Sequence, residues 1–167
     1  IEEILIMGNP FLLTPNRMTT KAESFADMQF SNINIFAVAA CHSDYLGPSW
    51  QMPSIYNDPK VKALAKKVKI GVHPRRNELM ISRLQMGKKP TFPDTLVEIT
   101  CRGTKFTTEV TAPKGTIGNS MTEMDLINKF RTNASYSILP SSRIGEIIKM
   151  ILDLEKLEDI TKLTRLL

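Results

Sequence analysis

Cysteine is scarce in this chain: 167 residues hold two, Cys41 and Cys101. Both stand in apolar surroundings, and two thiols cannot build a disulfide framework, so they are expected to be buried and reduced. Histidine is equally rare. His42 and His73 have no carboxylate or cysteine at metal-ligand spacing, which argues against a metal centre. Aromatic residues make up only 7% of the chain, and no basic run exceeds the pairs Lys66-Lys67, Arg75-Arg76 and Lys88-Lys89. The net charge of +5 therefore reads as scattered, solvated charge, and no nucleic-acid partner is expected. No apolar run is long enough to span a bilayer, there is no signal peptide, and nothing repeats internally. No membrane partner is expected, and the chain is placed in the cytoplasm. Lys114-Gly115-Thr116 looks like the end of a phosphate loop, but the upstream glycines are missing. His42-Ser43-Asp44 sets three suggestive residue types side by side, whereas triad members meet in space from separate elements. No cofactor is expected.

What is present is an ordinary globular balance, 42% hydrophobic and 23% charged. Ile1 to Met7 reads as a strand ended by Gly8-Asn9-Pro10, and a loop follows to about Ala22. Phe30 to Cys41 is apolar nearly all round, with Ser31 or Asn32 able to cap it, and reads as a buried helix. Asn57 or Asp58 caps the next helix, which has Pro59 in its first turn and buries Val61, Leu64, Ala65 and Val68. A short strand, Val68 to Val72, follows. Residues 73–94 read as a polar loop that could hold a strand or turn around Leu79 to Leu84. From Thr95 the period becomes two: Val97, Ile99 and Cys101 alternate with Leu96, Glu98 and Thr100, Arg102-Gly103-Thr104 turns, and Phe106, Thr108 and Val110 return.

The last third is a succession of short helices. Ser120 with Glu123 suggests a capping box, behind which Leu126, Ile127 and Phe130 form an apolar stripe. A second helix starts at Pro140-Ser141-Ser142 and carries Ile144, Ile147, Ile148, Ile151 and Leu152 on one face. A weaker turn begins near Asp159. The pattern predicts an α+β fold, a mostly antiparallel sheet covered by helices on one face, with residues 1–120 as a small domain and 121–167 as a helical segment. Arg17, Arg75, Arg76, Lys88 and Lys89 fall in predicted loops, where carboxylate-binding residues can sit. No reaction follows from these residues alone.

Read in order, several stretches resemble the closing part of the MmgE/PrpD family, which includes 2-methylcitrate dehydratase and cis-aconitate decarboxylase. IEEILIM resembles the strand that opens the family's smaller domain, and Met28-Gln29-Phe30-Ser31 its helix start. NDPKVKALAKKVKI resembles its helix and strand, and PKGTIGNSMTEMDLINKF its glycine loop and following helix. KFRTNAS with LEKLEDITKLTRLL resembles its closing segment. The resemblance implies a small α+β domain whose C-terminal helices return to pack on a separate all-helical domain, in the same or another chain. An opening strand without a predecessor and an apolar last helix would then both be waiting for that partner.

The resemblance also implies a cofactor-independent lyase or isomerase, dehydratase-like, acting on a small polycarboxylate in a cleft between the two domains. Most of the acid–base groups would lie in the helical domain, so the chain is expected to be inactive by itself and no catalytic residue is assigned to it. Thr14, Asn16 and Arg17 are the candidates for substrate binding on the cleft wall, with Ser31 as an anion-facing candidate at a helix start. The decarboxylase branch has a tyrosine shortly before its Asn-Arg loop, where this chain offers Thr14. Ile33 and Asn34 replace the family's common Pro-Tyr pair. A homodimer or larger assembly is expected. The competing expectation is a catalytically inactive member that serves as a binding or oligomerisation module.

Overall fold

The structure, a computed structural model, describes residues 1–42, 47–87 and 94–167. They form two compact units, Ile1–Asn119 and Ser120–Leu167.

The first unit is an α+β domain built on a four-stranded mixed sheet. Strand β1 (Glu3–Gly8) lies at its centre. The helices α1 (Phe25–Phe30), α2 (Asn32–Cys41), α3 (Pro53–Tyr56) and α4 (Pro59–Ala65) lead to β2 (Val68–Val72), which pairs parallel to β1. That parallel pair requires a crossover, and residues 9–67 supply it. Helix α5 (Arg76–Gln85) follows, then the hairpin β3 (Thr95–Cys101) and β4 (Thr104–Val110). The sheet order is β2-β1-β3-β4, antiparallel at β1–β3 and β3–β4. The expected antiparallel character thus holds for the hairpin side and gives way at β1–β2.

Alternation in β1 decides which face is covered. Ile4 and Ile6 point to one side and are buried, while Glu3, Leu5 and Met7 are only partly covered. Ile4 sits opposite Val68 and Ile99, and Ile6 opposite Ile70 and Val97, so one face of three strands is continuously aliphatic. Met28 of α1, Ile33, Ala37 and Val38 of α2 and Val61 and Ala65 of α4 complete the core against it. The other face carries charge pairs, Lys69 with Glu3 and Lys105 with Glu98.

Local signals account for most of these elements. Ser31 caps α2 and Asp58 caps α4, its carboxylate accepting from the Lys60 amide at 2.8 Å. Arg102 and Gly103 have φ of 49° and 72°, the paired positive values of a two-residue type I′ turn. One segment departs from expectation. Residues 76–85 are helical, with Leu79, Met80 and Arg83 turned inward at helical spacing. The run around Leu79 to Leu84 is mixed enough to suggest a strand or turn, but its Leu, Met and Arg residues all favour helix.

The second unit comprises α6 (Glu123–Ala134), α7 (Ser141–Leu152) and α8 (Thr161–Thr164). Ile147 and Ala134 are buried within it. Its capping box is not at Ser120 and Glu123 but two residues further on. Thr122 accepts from the Asp125 amide at 3.2 Å, and Asp125 accepts from the Thr122 amide at 2.7 Å. Glu123 is already the first helical residue and cannot reach back as the fourth. Thr122→Ala should therefore cost about 1 kcal/mol, whereas Ser120→Ala should stay within about 0.5 kcal/mol. Urea denaturation of the two variants side by side checks this, and an equal effect at both positions would move the cap back to Ser120.

Candidate functional site

The loop after β1 carries the sequence candidates, and its shape is dictated from both ends. Asn9 accepts from the Phe11 amide at 2.9 Å and starts a 3-10 turn over Pro10–Leu13. A second turn, Pro15–Arg17, follows directly. Each begins with proline, whose fixed φ suits a first helical position and which has no amide to leave unpaired. Leu12, Met18 and Ala22 pack on the core and hold the loop down between them.

The N-terminus of α2 fastens the same loop by its carbonyls. The Ser31 hydroxyl donates to the Thr19 carbonyl at 2.6 Å and accepts from the Asn34 amide at 3.1 Å. The Asn32 side-chain amide donates to the Leu12 carbonyl at 2.9 Å, and that of Asn34 to the Lys21 carbonyl at 2.9 Å. All three side chains are buried. Ser31 therefore faces the interior, with its hydroxyl used as both donor and acceptor, so it caps α2 and anchors the loop instead of facing an anion. Asn34, one of the two positions where the Pro-Tyr pair of the resembled family is replaced, is one of these three fasteners.

Removing such a group takes away the side-chain donor of a loop carbonyl, which for the exposed Lys21 water can partly replace. Asn34→Ala should cost about 0.5–1.5 kcal/mol and speed amide exchange across residues 18–22 more than in β1. Hydrogen–deuterium exchange that is unchanged in this loop would show that the fastening is redundant.

The fastened loop places Thr14, Asn16 and Arg17 together on one pair of turns. Thr14 donates its hydroxyl to the Phe11 carbonyl at 2.6 Å, leaving the oxygen able to accept only. Asn16 is exposed. Arg17 is half-buried, and no carboxylate pairs with it among the described residues. A half-buried arginine on a fastened loop, beside an exposed amide, is an arrangement suited to a carboxylate.

A second polar cluster, not anticipated from the sequence, lies at the same end of the sheet. His73 follows β2, is 4% exposed, and accepts at Nδ1 from the Arg75 amide at 3.1 Å. That bond assigns the neutral ring its proton at Nε2. Nε2 stands 3.2 Å from the Glu109 carboxylate, within ion-pair distance but off the line of a hydrogen bond. Asp94 is buried and paired with Arg83 at 2.9 Å. With Arg76, Leu79, Gly8 and Asn9, His73 and Asp94 enclose a cavity of ≈ 10 Å³. Such a space holds about one water and no substrate. The cluster ties α5 and β4 to the sheet end. His73 stands two residues before the Arg75-Arg76 pair, but its partner Glu109 is 36 positions away, and sequence spacing gave no sign of it.

The other sequence candidates are distributed elsewhere. Arg75 is committed to Glu78 through two bonds, Nε at 3.0 Å and Nη2 at 2.8 Å. Hydrogen bonding between them pushes the guanidinium up from its ordinary value and the Glu78 carboxyl down. Lys88, Lys89, Ser43 and Asp44 lie outside the described residues. Cys41 and Cys101 are free and half-buried, and burial, aided by Asp58, pushes the Cys41 thiol up, the opposite of an activated nucleophile. Among the described residues no helix is long and apolar enough to cross a membrane, and no group of three His, Cys, Asp or Glu side chains is placed to hold a metal ion.

In the second unit, Leu126, Ile127 and Phe130 of α6 and Ile148, Ile151 and Leu152 of α7 line an apolar groove. Ile138, in the connection between the two helices, is 98% exposed.

Comparison with known proteins agrees with this architecture. Residues 4–156 match the MmgE/PrpD C-terminal domain. The mouse (Mus musculus) protein named cis-aconitate decarboxylase is 36% identical over 147 residues, which cover 86% of this chain and 28% of that protein. The chain thus spans little more than a quarter of the length of that relative, and with its mixed sheet, its crossover helices and this match it belongs to the MmgE/PrpD family, as a C-terminal domain.

Proposed function

We propose that this chain is the C-terminal portion, or small subunit, of a cofactor-independent lyase or isomerase that acts on a small polycarboxylate in a cleft shared with a helical domain. The observation that carries the reading is the half-buried Arg17, held on a fastened loop without a carboxylate partner, in a chain that matches this family's C-terminal domain. Arg17 and Asn16 form the carboxylate-binding wall, and Thr14 accepts a hydrogen bond from the substrate.

The chemistry begins with loss of a proton from the carbon beside a carboxylate. A base takes the proton, and the electron pair left behind is delocalised into the carboxylate as enolate charge. Arg17 stabilises that charge, because a fixed cation needs no reorganisation as charge develops. In a dehydration the neighbouring C–OH bond then breaks, and the hydroxyl leaves with a proton from a general acid. The base and the acid come from the helical domain. That domain packs on the second unit, whose apolar groove and exposed Ile138 suit a helical neighbour.

The test is to purify the native polypeptide, with any helical chain that accompanies it, and to incubate it with 2-methylcitrate and cis-aconitate. Proton NMR of the products separates water loss from carbon dioxide loss. Turnover of either acid supports the proposal. Absence of turnover together with absence of polycarboxylate binding by calorimetry would sink it and leave the binding-module reading.

A further inference from the structure

Strand β4 ends the sheet order, and all seven of its residues are exposed. Natural edge strands are usually shortened, kinked by a bulge, or interrupted by proline. This one has none of these three; its edge carries charge instead, Lys105 and Glu109, which repels a like-charged strand but suits one of complementary charge. Its pairing with β3 runs without interruption from Cys101–Thr104 to Thr95–Val110, and its sequence, Thr-Lys-Phe-Thr-Thr-Glu-Val, contains no proline.

The hairpin fixes which backbone groups are free. A two-residue turn closes on a hydrogen-bonded pair, here Cys101–Thr104, and bonded and non-bonded pairs alternate from there. Thr104, Phe106, Thr108 and Val110 therefore spend their amides and carbonyls on β3. Those of Lys105, Thr107 and Glu109 point outward.

These three residues are self-complementary under two-fold symmetry. We propose that β4 pairs antiparallel with β4 of a second copy of this chain, centred on Thr107, to give one continuous sheet across the dimer. In that register Thr107 faces its own symmetry mate, and Lys105 faces the mate of Glu109 on both sides of the axis. Every outward amide and carbonyl of the three residues finds a partner. Moving the centre to Lys105 or Glu109 sets like charges directly opposite one another, which cross-strand pairing penalises. The charge pattern thus selects one register and disfavours the alternatives.

The apolar side of the strand agrees. Phe106 and Val110 face the side of the sheet that holds the core, yet remain 59% and 44% exposed, with no helix among the described residues of the unit covering them. In the paired sheet Phe106 lies beside Thr108 of the second copy and diagonal to its own mate, within aromatic reach. Lys105 keeps its bond to Glu98 at 2.9 Å on the opposite face, so the new carboxylate joins an existing pair. The proposal uses only the first unit and does not depend on the polycarboxylate reading.

The test is position-specific cross-linking in the native polypeptide. Thr107→Cys places two thiols on backbone carbons about 5.5 Å apart, inside the range a disulfide spans. Mild oxidation with glutathione disulfide should link Thr107→Cys into a covalent dimer above the background of the parent chain, which carries Cys41 and Cys101. Thr104→Cys, about 20 Å from its own mate in this register, should not link. Sedimentation equilibrium supplies the second readout: Lys105→Glu should weaken association at least tenfold, and Lys105→Glu with Glu109→Lys should restore it. Failure of Thr107→Cys to link, equal linking at Thr104→Cys, or no recovery in the double variant would each overturn the proposal.

Discussion

Ile6→Ala should lower the stability of the first unit by about 2–5 kcal/mol, and Ile6→Val by about 0.5–1.5 kcal/mol. Ile6 is 1% exposed, on the central strand, with Ile70 opposite on one side and Val97 on the other. The packed helices above it cannot follow a retreating side chain without losing contacts of their own, so truncation leaves a cavity as well as forfeiting the transfer energy. Domains of this kind are stable by only about 5–15 kcal/mol, so the alanine variant removes a large fraction of the total. Urea denaturation gives the measurement. A loss under about 1 kcal/mol for alanine would mean that β1 is not the strand the core is built on.

Arg17→Ala should reduce kcat/KM of the assembled enzyme on its polycarboxylate about ten- to hundredfold, as expected from losing a charge-assisted hydrogen bond of about 1.5–3 kcal/mol. Because Arg17 pairs with no carboxylate among the described residues, the substitution breaks no internal ion pair, and stability should change by less than about 0.5 kcal/mol. Arg17→Lys should recover part of the loss, since an ammonium restores the charge without the planar fork that grips both carboxylate oxygens. If the contact forms equally in the ground and transition states, the defect appears in KM; if it strengthens as enolate charge develops, it appears in kcat. An unchanged kcat/KM in Arg17→Ala would place the loop outside the cleft.

The two predictions differ in how far each could be read from the chain. Ile4 and Ile6 announce themselves by alternation within IEEILIM, and their burial follows as soon as one face of the strand is covered. Arg17 was one of five loop cations the residues offered, and resemblance alone set it apart from the others. Its distinguishing property, a held position with no carboxylate partner among the described residues, depends on where carboxylates from other elements end up. Ser31 shows the converse. As a capping residue it was legible from its place before an apolar run, but the direction of its hydroxyl was not. That direction is set by the Thr19 carbonyl, twelve residues back along the chain.

By itself the sequence determined what short-range physics controls: a buried helix ending at Cys41, a cap at Asn57 or Asp58, a hairpin turning at Arg102-Gly103-Thr104, and the amphipathic α7. Each rests on a side-chain period or a hydrogen bond spanning a few residues, and neighbours in sequence suffice to specify it. Tertiary structure decided the rest. It made β1 and β2 parallel, and set Asn32 and Asn34 to work as fasteners of the candidate loop. It also brought His73 to Glu109 and left β4 uncovered at the sheet edge. These features join groups distant along the chain, and their energies depend on which surfaces the whole fold brings together. No local window of sequence contains that information.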